Sequence, residues 1–330
     1  MRERVALASA LALVTGSALL LWQHLAMPGE SHGQATLPAS TAAQRALAEE
    51  LRRDVRALTE FGERSARRHD NLQRAAGWIE QELGRAGLTP ARQSYEVGGR
   101  PFHNLEVEIP GTRASDLVVV GAHYDSAPGT VGANDNGSGV AALLALARRS
   151  RAWRPERTLR LVFFTNEEPP FFQTADMGSV RYAQHLHASG VGDVAMLSLE
   201  TMGYYSDEPG SQAYPPAIRG FYPDTGHFIA FVGDVSSSEL TRRLLGMFRE
   251  QARFPSEGAS LPRSLPGVGW SDHWAFWQQG YPAVMVTDTA PFRYPHYHTA
   301  DDTPDKLDYG RLARVVEGLA RVIPALANDG

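Results

Sequence analysis

The sequence holds no cysteine in 330 residues. Disulfides and thiolate metal ligands are therefore excluded, and any bound metal must be held by His, Asp and Glu. Lysine is nearly as scarce, since of 32 basic residues only Lys306 is not an arginine. That skew reads as base-composition bias in the coding gene, not as an arginine-rich binding surface. A net charge of −5 gives no reason to expect nucleic acid or an acidic membrane surface as a partner. The Walker lysine and Gly-x-Gly-x-x-Gly are absent, as are the Gly-x-Ser-x-Gly elbow of serine hydrolases and a helix-borne His-Glu-x-x-His. These gaps leave little besides His, Asp and Glu to carry chemistry.

One long uncharged run is present. Met1-Arg2-Glu3-Arg4 precedes 18 residues, Val5 to Trp22, that carry no charge. As a helix this run spans ~27 Å, close to the ~30 Å hydrocarbon core of a bilayer. Cleavage sites are poor: His24-Leu25-Ala26 has a bulky histidine, and Gly33-Gln34-Ala35 lies far downstream. Residues 1–26 are expected to form a signal-anchor, with a cleaved signal peptide as the alternative. Arg2 and Arg4 keep the start of the chain in the cytoplasm and export the rest, to the periplasm or beyond. Residues 27–40, rich in Pro, Gly, Ser and Ala, read as a linker.

From residue 41 onward the patterning predicts a single α/β domain, 41–330, with a mixed, mostly parallel central sheet flanked by helices. Helical periodicity marks 41–58, 71–86, 237–254 and 312–326, with Gly87 stopping the second helix. Short, nearly continuous apolar runs at 117–121, 159–165 and 194–199 read as strands buried on both faces. Val140 to Ala147 is a helix former between the first two, which makes a crossover unit. Residues 105–109 alternate like a half-exposed edge strand, and 228–232 and 283–287 are further strands. The Pro- and Gly-rich stretches 209–223 and 255–269 read as long loops.

Candidate ligands sit at the ends of these runs. His123-Tyr124-Asp125 closes the first, at the carboxyl edge where open α/β sheets collect ligands. Asp125 could accept the second ring N–H of His123 and fix its tautomer. In Asn134-Asp135-Asn136-Gly137-Ser138-Gly139, Asp135 precedes a helix start, where the dipole favours a carboxylate. The same turn matches a glycosylation sequon at Asn136, too crowded there to be modified. Glu167 and Glu168 follow Phe163-Phe164, and two carboxylates after a buried strand are costly without a cation. Neighbours at a strand end point different ways, so one can ligate metal while the other faces substrate as a base. Glu200 ends another apolar strand, and His296 or His298 could close the site. Each motif alone also fits a plain N-cap, a polar strand end or an exposed acidic loop. Together, two imidazoles and three carboxylates suit two zinc ions better than one, with cobalt or manganese admitted by the ligand types.

The order His-x-Asp, Asn-Asp-Asn-Gly-Ser-Gly, Glu-Glu, a lone acid and Tyr-His-Thr resembles the co-catalytic di-zinc aminopeptidase and glutamate carboxypeptidase family, over about residues 40–325. The resemblance implies the phosphorylase/hydrolase-like zinc-exopeptidase fold. It also implies that His123 and Glu200 hold one zinc, Glu168 and His298 the other, and that Asp135 bridges them. Glu167 becomes the general base and Asp125 the partner of His123, while His298 is chosen over His296. The implied activity is removal of N-terminal residues from peptide substrates by a metal-bound hydroxide, with carboxypeptidase activity left open. Two departures stand out. Glu200 occupies a position where simple aminopeptidases carry Asp, and no tyrosine precedes Ser271-Asp272-His273 to help an oxyanion. A single-zinc glutaminyl cyclase and a non-catalytic ectodomain on the same fold are the rival readings. The intact Asn-Asp-Asn-Gly-Ser-Gly turn and complete ligand set weigh against both. Pocket walls are expected from the loops around 204–222 and 255–274.

Overall fold

The apolar runs read as doubly buried occupy the middle of one eight-stranded sheet. The strands are β1 (Ala91–Val97), β2 (Arg100–Ile109), β3 (Arg113–His123), β4 (Arg157–Phe164), β5 (Val194–Glu200), β6 (Ile229–Asp234), β7 (Ser256–Leu261) and β8 (Ala283–Thr287). They lie in the order β1-β2-β4-β3-β5-β8-β6-β7. The central four are parallel, β2 is antiparallel to β1 and β4, and β6 runs antiparallel to β8 with β7 parallel to it. This is a computed structural model, and it describes residues 26–329. The expected N-terminal anchor, Ala26 apart, lies outside the described residues. Among the described residues no helix is long and apolar enough to cross a membrane.

Helices cover both faces. On one side lie α1 (Ala42–Thr59), α2 (His69–Arg85), α3 (Gly137–Ser150) and, further on, α5 (Ser238–Ala252) and α8 (Tyr309–Ala327). The other side carries α4 (Gly178–Ala188) and the short α6 (His273–Gln278); α7 (Ala290–Arg293) is a single turn after β8. Alternation along β3 sorts its residues between the two layers. Val118 and Val120 join the larger core, whereas Leu117 and Val119 join the smaller. α1 begins at a reciprocal cap: Gln44 N–H donates to Thr41 Oγ1 at 3.1 Å and Thr41 N–H to Gln44 Oε1 at 3.0 Å. α2 is stopped by Gly87, whose φ of +74° suits a residue without Cβ. α3 joins β3 to its parallel neighbour β4, which is the predicted crossover.

Three features differ from the sequence expectations. The 105–109 segment is the end of a ten-residue strand; β1 covers Leu105 and Glu106, so only 107–109, paired with β4 alone, form an edge. β1 escaped notice because its burial is shallow throughout and no apolar run marks it. Residues 256–261, expected within a loop, form the edge strand β7; Ser-Glu-Gly-Ala-Ser-Leu lacks the β-branched and aromatic residues that signal a strand. The helices α4 and α6 were not anticipated.

Residues 27–40 form no helix or strand but are tied down. Arg249 Nη1 donates to Pro28 O at 2.9 Å and Gly29 O at 3.2 Å, and Ser256 N–H donates to Ser31 O at 2.9 Å. This strap therefore runs beside the first residues of β7.

Candidate metal centre

Strand ends and a helix start bring the candidate ligands together. His123 is the last residue of β3 and Glu200 the last of β5. Asp135 lies two residues before α3, and the Asp135–Asn136 peptide is cis. Asn136 caps that helix through Gly139 N–H and is wholly buried. Its amide also donates to Leu199 O at 2.8 Å and accepts from Thr201 N–H at 3.1 Å, which staples the helix start to the end of β5. Glu167 and Glu168 follow β4 after Asn166, a residue at φ +60°. His298 is the outlier of the set, since it lies in a loop well beyond β8 with φ +56°. Its ring stacks on Tyr297 with centroids 3.9 Å apart.

The ligand atoms form two groups that share Asp135. His123 Nε2 stands 3.3 Å from Asp135 Oδ1 and 3.2 Å from Glu200 Oε2. His298 Nε2 stands 2.9 Å from Asp135 Oδ2 and 3.3 Å from Glu168 Oε1. In each group the ligating atoms all lie within 4.8 Å of one another. Glu167 belongs to neither, with Oε2 3.8 Å from His123 Nε2. His296 also stays outside both groups.

Acidic side chains behind the ligands hold main-chain donors. Asp125 lies 3.5 Å from His123 Nδ1, too long for a well-made hydrogen bond. Its two oxygens instead accept the N–H groups of Glu167 at 3.1 Å and Glu168 at 3.0 Å. Asp302 does the same for Asn134 at 2.8 Å and Asp135 at 3.1 Å, and also accepts from the Tyr294 hydroxyl. Ser271 Oγ donates to Glu200 Oε2 at 2.7 Å. Arg64, completely buried, donates to Tyr124 O at 2.8 Å, Val131 O at 2.5 Å and Gly132 O at 3.1 Å. Apart from Asp125 facing His123, none of these supporting roles was read from the sequence. Ser271 does sit inside a motif already of interest, but Arg64 is one arginine among many and carries no local signal.

Burial of so many acids sets the electrostatics. It pushes Glu167 well above the usual carboxylate range and Glu168 up to about 7. Burial alone would lower the histidines, but the surrounding carboxylates outweigh it. Glu200 and Glu167 hold His123 well above its ordinary value, and Asp135 and Glu168 raise His298 to about 10. For Asp135 the order is reversed: burial works to raise it, and the imidazoles of His123 and His298 beside it hold it well below the ordinary range. Positive charge is what this cluster requires.

Zinc fits that requirement. Buried Asp135 Oδ1, Glu168 Oε1 and His123 Nδ1 have no hydrogen-bond partner among the described residues. Imidazole nitrogens and carboxylate oxygens at this spacing are zinc donors.

Comparison with known proteins agrees. The sequence model of peptidase family M28 matches residues 104–323. The Escherichia coli K12 protein YfbL is 38% identical over 83% of this chain and 87% of its own length. A probable leucine aminopeptidase of Trichophyton verrucosum is 27% identical over 80% of this chain and 69% of its own. Among solved structures, LapA aminopeptidase of Legionella pneumophila aligns with a TM-score of 0.69 at 19% identity, covering 90% of this chain and 79% of its own. Glutaminyl cyclase of Porphyromonas gingivalis aligns with a TM-score of 0.62 at 20% identity, covering 84% and 98%. At these identities the two structures speak for the fold.

A pH dependence follows for the metal-stripped protein. The folded value for His298, about 10, exceeds the unfolded value of ~6.5. The stability this contributes is complete below ~6.5 and is lost as pH rises through about 10. The raised Glu168 adds the same sign. The melting temperature of the stripped protein is thus expected to fall between pH 6.5 and roughly 9.5, and zinc to flatten that slope. A stripped protein that grows more stable over this range would contradict the charge assignment.

Proposed function

The chain belongs to peptidase family M28, and on that premise we propose that it hydrolyses peptide bonds with two zinc ions and releases N-terminal residues from peptides. The observation that carries this reading is the shared carboxylate. Asp135 faces His123 through one oxygen and His298 through the other. His123, Glu200 and Asp135 would hold one ion, and Asp135, Glu168 and His298 the second. The likeness to leucine aminopeptidases favours the amino end of the substrate.

When bound, zinc supplies Lewis acidity toward a carbonyl oxygen and lowers the pKa of a water from ~15.7 toward ~7. The remaining work falls to the protein. Glu167 has its main-chain N–H fixed on Asp125 and its carboxylate left out of both ligand groups. Burial pushes that carboxyl well above the ordinary range, so it can hold a proton between two steps. It takes the proton of the attacking water at Oε2 and passes it to the leaving amine as the C–N bond breaks. The water oxygen ends in the new carboxylate.

Tyr297 is placed to do what the missing tyrosine before Ser271 would do. It lies flat on His298 and lines the pocket beside Glu200, and its hydroxyl makes no hydrogen bond among the described residues. Its hydroxyl could donate to the carbonyl oxygen as negative charge develops there. Asp125 acts through others, by orienting Glu167 and Glu168 and by facing His123.

The uncharged run Val5 to Trp22, behind Arg2 and Arg4, supports export of the domain 41–330 on an uncleaved anchor. A glutaminyl cyclase rests on likeness of fold, and would leave the second ligand group without a task.

Glu167→Gln is expected to retain both zincs by metal analysis while kcat falls by about 10²–10⁴; turnover near wild type would sink the mechanism. Glu168→Ala should lose zinc as well as activity. Firm binding of one zinc by the wild type, with pyroglutamate formation, would replace the peptidase reading altogether. Tyr297→Phe should keep its zinc and its KM while kcat drops about a hundredfold. An unchanged kcat removes Tyr297 from the reaction. In fractionated cells the full chain should sediment with membranes and be cut by protease added from outside; recovery in the cytosol would reject the export assignment.

A further inference from the structure

An open pocket with about 780 Å³ of empty space adjoins the metal centre. Its floor is the half of the sheet beyond Glu200. In the strand register Glu200 pairs with Thr287, Thr287 with Ala230, and Ala230 with Glu257. These four residues form one row across β5, β8, β6 and β7, and all four line the pocket. The next residues facing it, Met285, Val232 and Ala259, lie two positions along their strands, so one face of the sheet supplies the floor. At ~4.8 Å per strand, Glu257 stands ~14 Å across the floor from the metal ligand Glu200.

Between those two carboxylates the lining is mainly apolar, with Leu261, Ile218 and Met285 among the walls and Thr287 in the row itself. Glu257 is half-buried, its side chain 17% exposed, yet it accepts no hydrogen bond from any described residue. Arg249 approaches to 3.6 Å of its Oε2. Both terminal nitrogens of that guanidinium, however, donate to main-chain oxygens, those of Pro28, Gly29 and Ser256. Glu257 therefore keeps an ion pair with Arg249 at Oε2 but has no hydrogen-bond donor among the described residues, at the far end of an apolar slot. Burial pushes its carboxyl upward, a cost that a second cation would relieve.

We infer that this pocket selects a substrate whose N-terminal side chain is basic, arginine or lysine, with Glu257 receiving the cation. The inference rests on the aminopeptidase reading of the adjoining centre and names its substrate class. With the scissile carbonyl at the metal end, the side chain of the residue being released extends along the row. Its methylenes pack on Met285, Val232 and Leu261, and its charged head reaches Glu257. Leucine fills only the near half of such a slot and leaves the acceptor unmet. A half-buried acceptor that gains no hydrogen-bond donor is what turns such a site against the wrong side chain.

The test uses zinc-loaded protein and aminoacyl coumarin amides of arginine, lysine, leucine and citrulline, the last an uncharged isostere of arginine. Arginine and lysine are expected to exceed citrulline and leucine in kcat/KM by about tenfold or more. Glu257→Gln should remove that advantage chiefly through KM, while leucine amide stays within about twofold of wild type. Calorimetric binding of L-argininamide and L-norleucinamide to the zinc-loaded Glu167→Gln variant reads the pocket without turnover, and adding Glu257→Gln should weaken only the first. Cleavage of leucine amide with no arginine preference, or a preference that survives Glu257→Gln, overturns the inference and leaves the peptidase reading intact. Argininamide bound in a Glu257-dependent way, with no aminoacyl amide cleaved, keeps the pocket assignment and rejects the reaction. If argininamide neither binds nor is favoured, the inference falls outright.

Discussion

Like charges confined out of water are the constraint on which this molecule is built. Asp135, Glu167, Glu168 and Glu200 are all more than nine-tenths buried within a few ångströms, and among the described residues they form ion pairs only with His123 and His298. Such a cluster cannot keep its charge in a low-dielectric interior without compensation. The fold supplies part of it with the start of α3 beside Asp135 and with the buried guanidinium of Arg64. Arg64 spends its donors on the carbonyls of Tyr124, Val131 and Gly132, so it orders the loops around the ligands and adds its field without neutralising any one acid.

Further acids turn that burden into rigidity. Asp125 holds the N–H groups of Glu167 and Glu168, and Asp302 those of Asn134 and Asp135. Asp288 takes the Asn134 amide and the Tyr204 N–H. The ligand loops have few regular main-chain partners, and these carboxylates replace them. A buried N–H left unpaired would cost about as much as a lost hydrogen bond, so each such acid fixes a local conformation as well as a charge.

Much of this was legible in the sequence, for reasons that also explain the failures. His123, Asp135 and Glu200 stand where an apolar run ends or a helix begins, and the pattern places them without knowledge of the fold. β8, Ala283–Thr287, was delimited correctly because its five residues are apolar or β-branched to the last. His298 could be selected over His296 only by family likeness, because nothing in an irregular loop reports which ring turns inward. Glu257 was hidden for a different reason. β6 and β7 run opposite to β8, so their beginnings lie level with the carboxyl ends of β5 and β8. A search guided by carboxyl ends of strands passes over a side chain near the start of one. Arg64 and Asp288 act on main chain that is remote in sequence, and single-residue patterns do not contain that information.

The strap before α1 has a consequence for how a peptide can approach. Ser256 N–H is taken by Ser31, Ser256 O by Arg249 and Gly258 O by the Tyr222 hydroxyl. These are main-chain groups of the edge strand nearest the pocket, and their occupation denies an incoming chain the ladder that strand addition requires. An incoming chain is therefore left the approach over the ends of the strands, where the pocket opens. Approach of this kind makes no demand on the length of chain that trails outside.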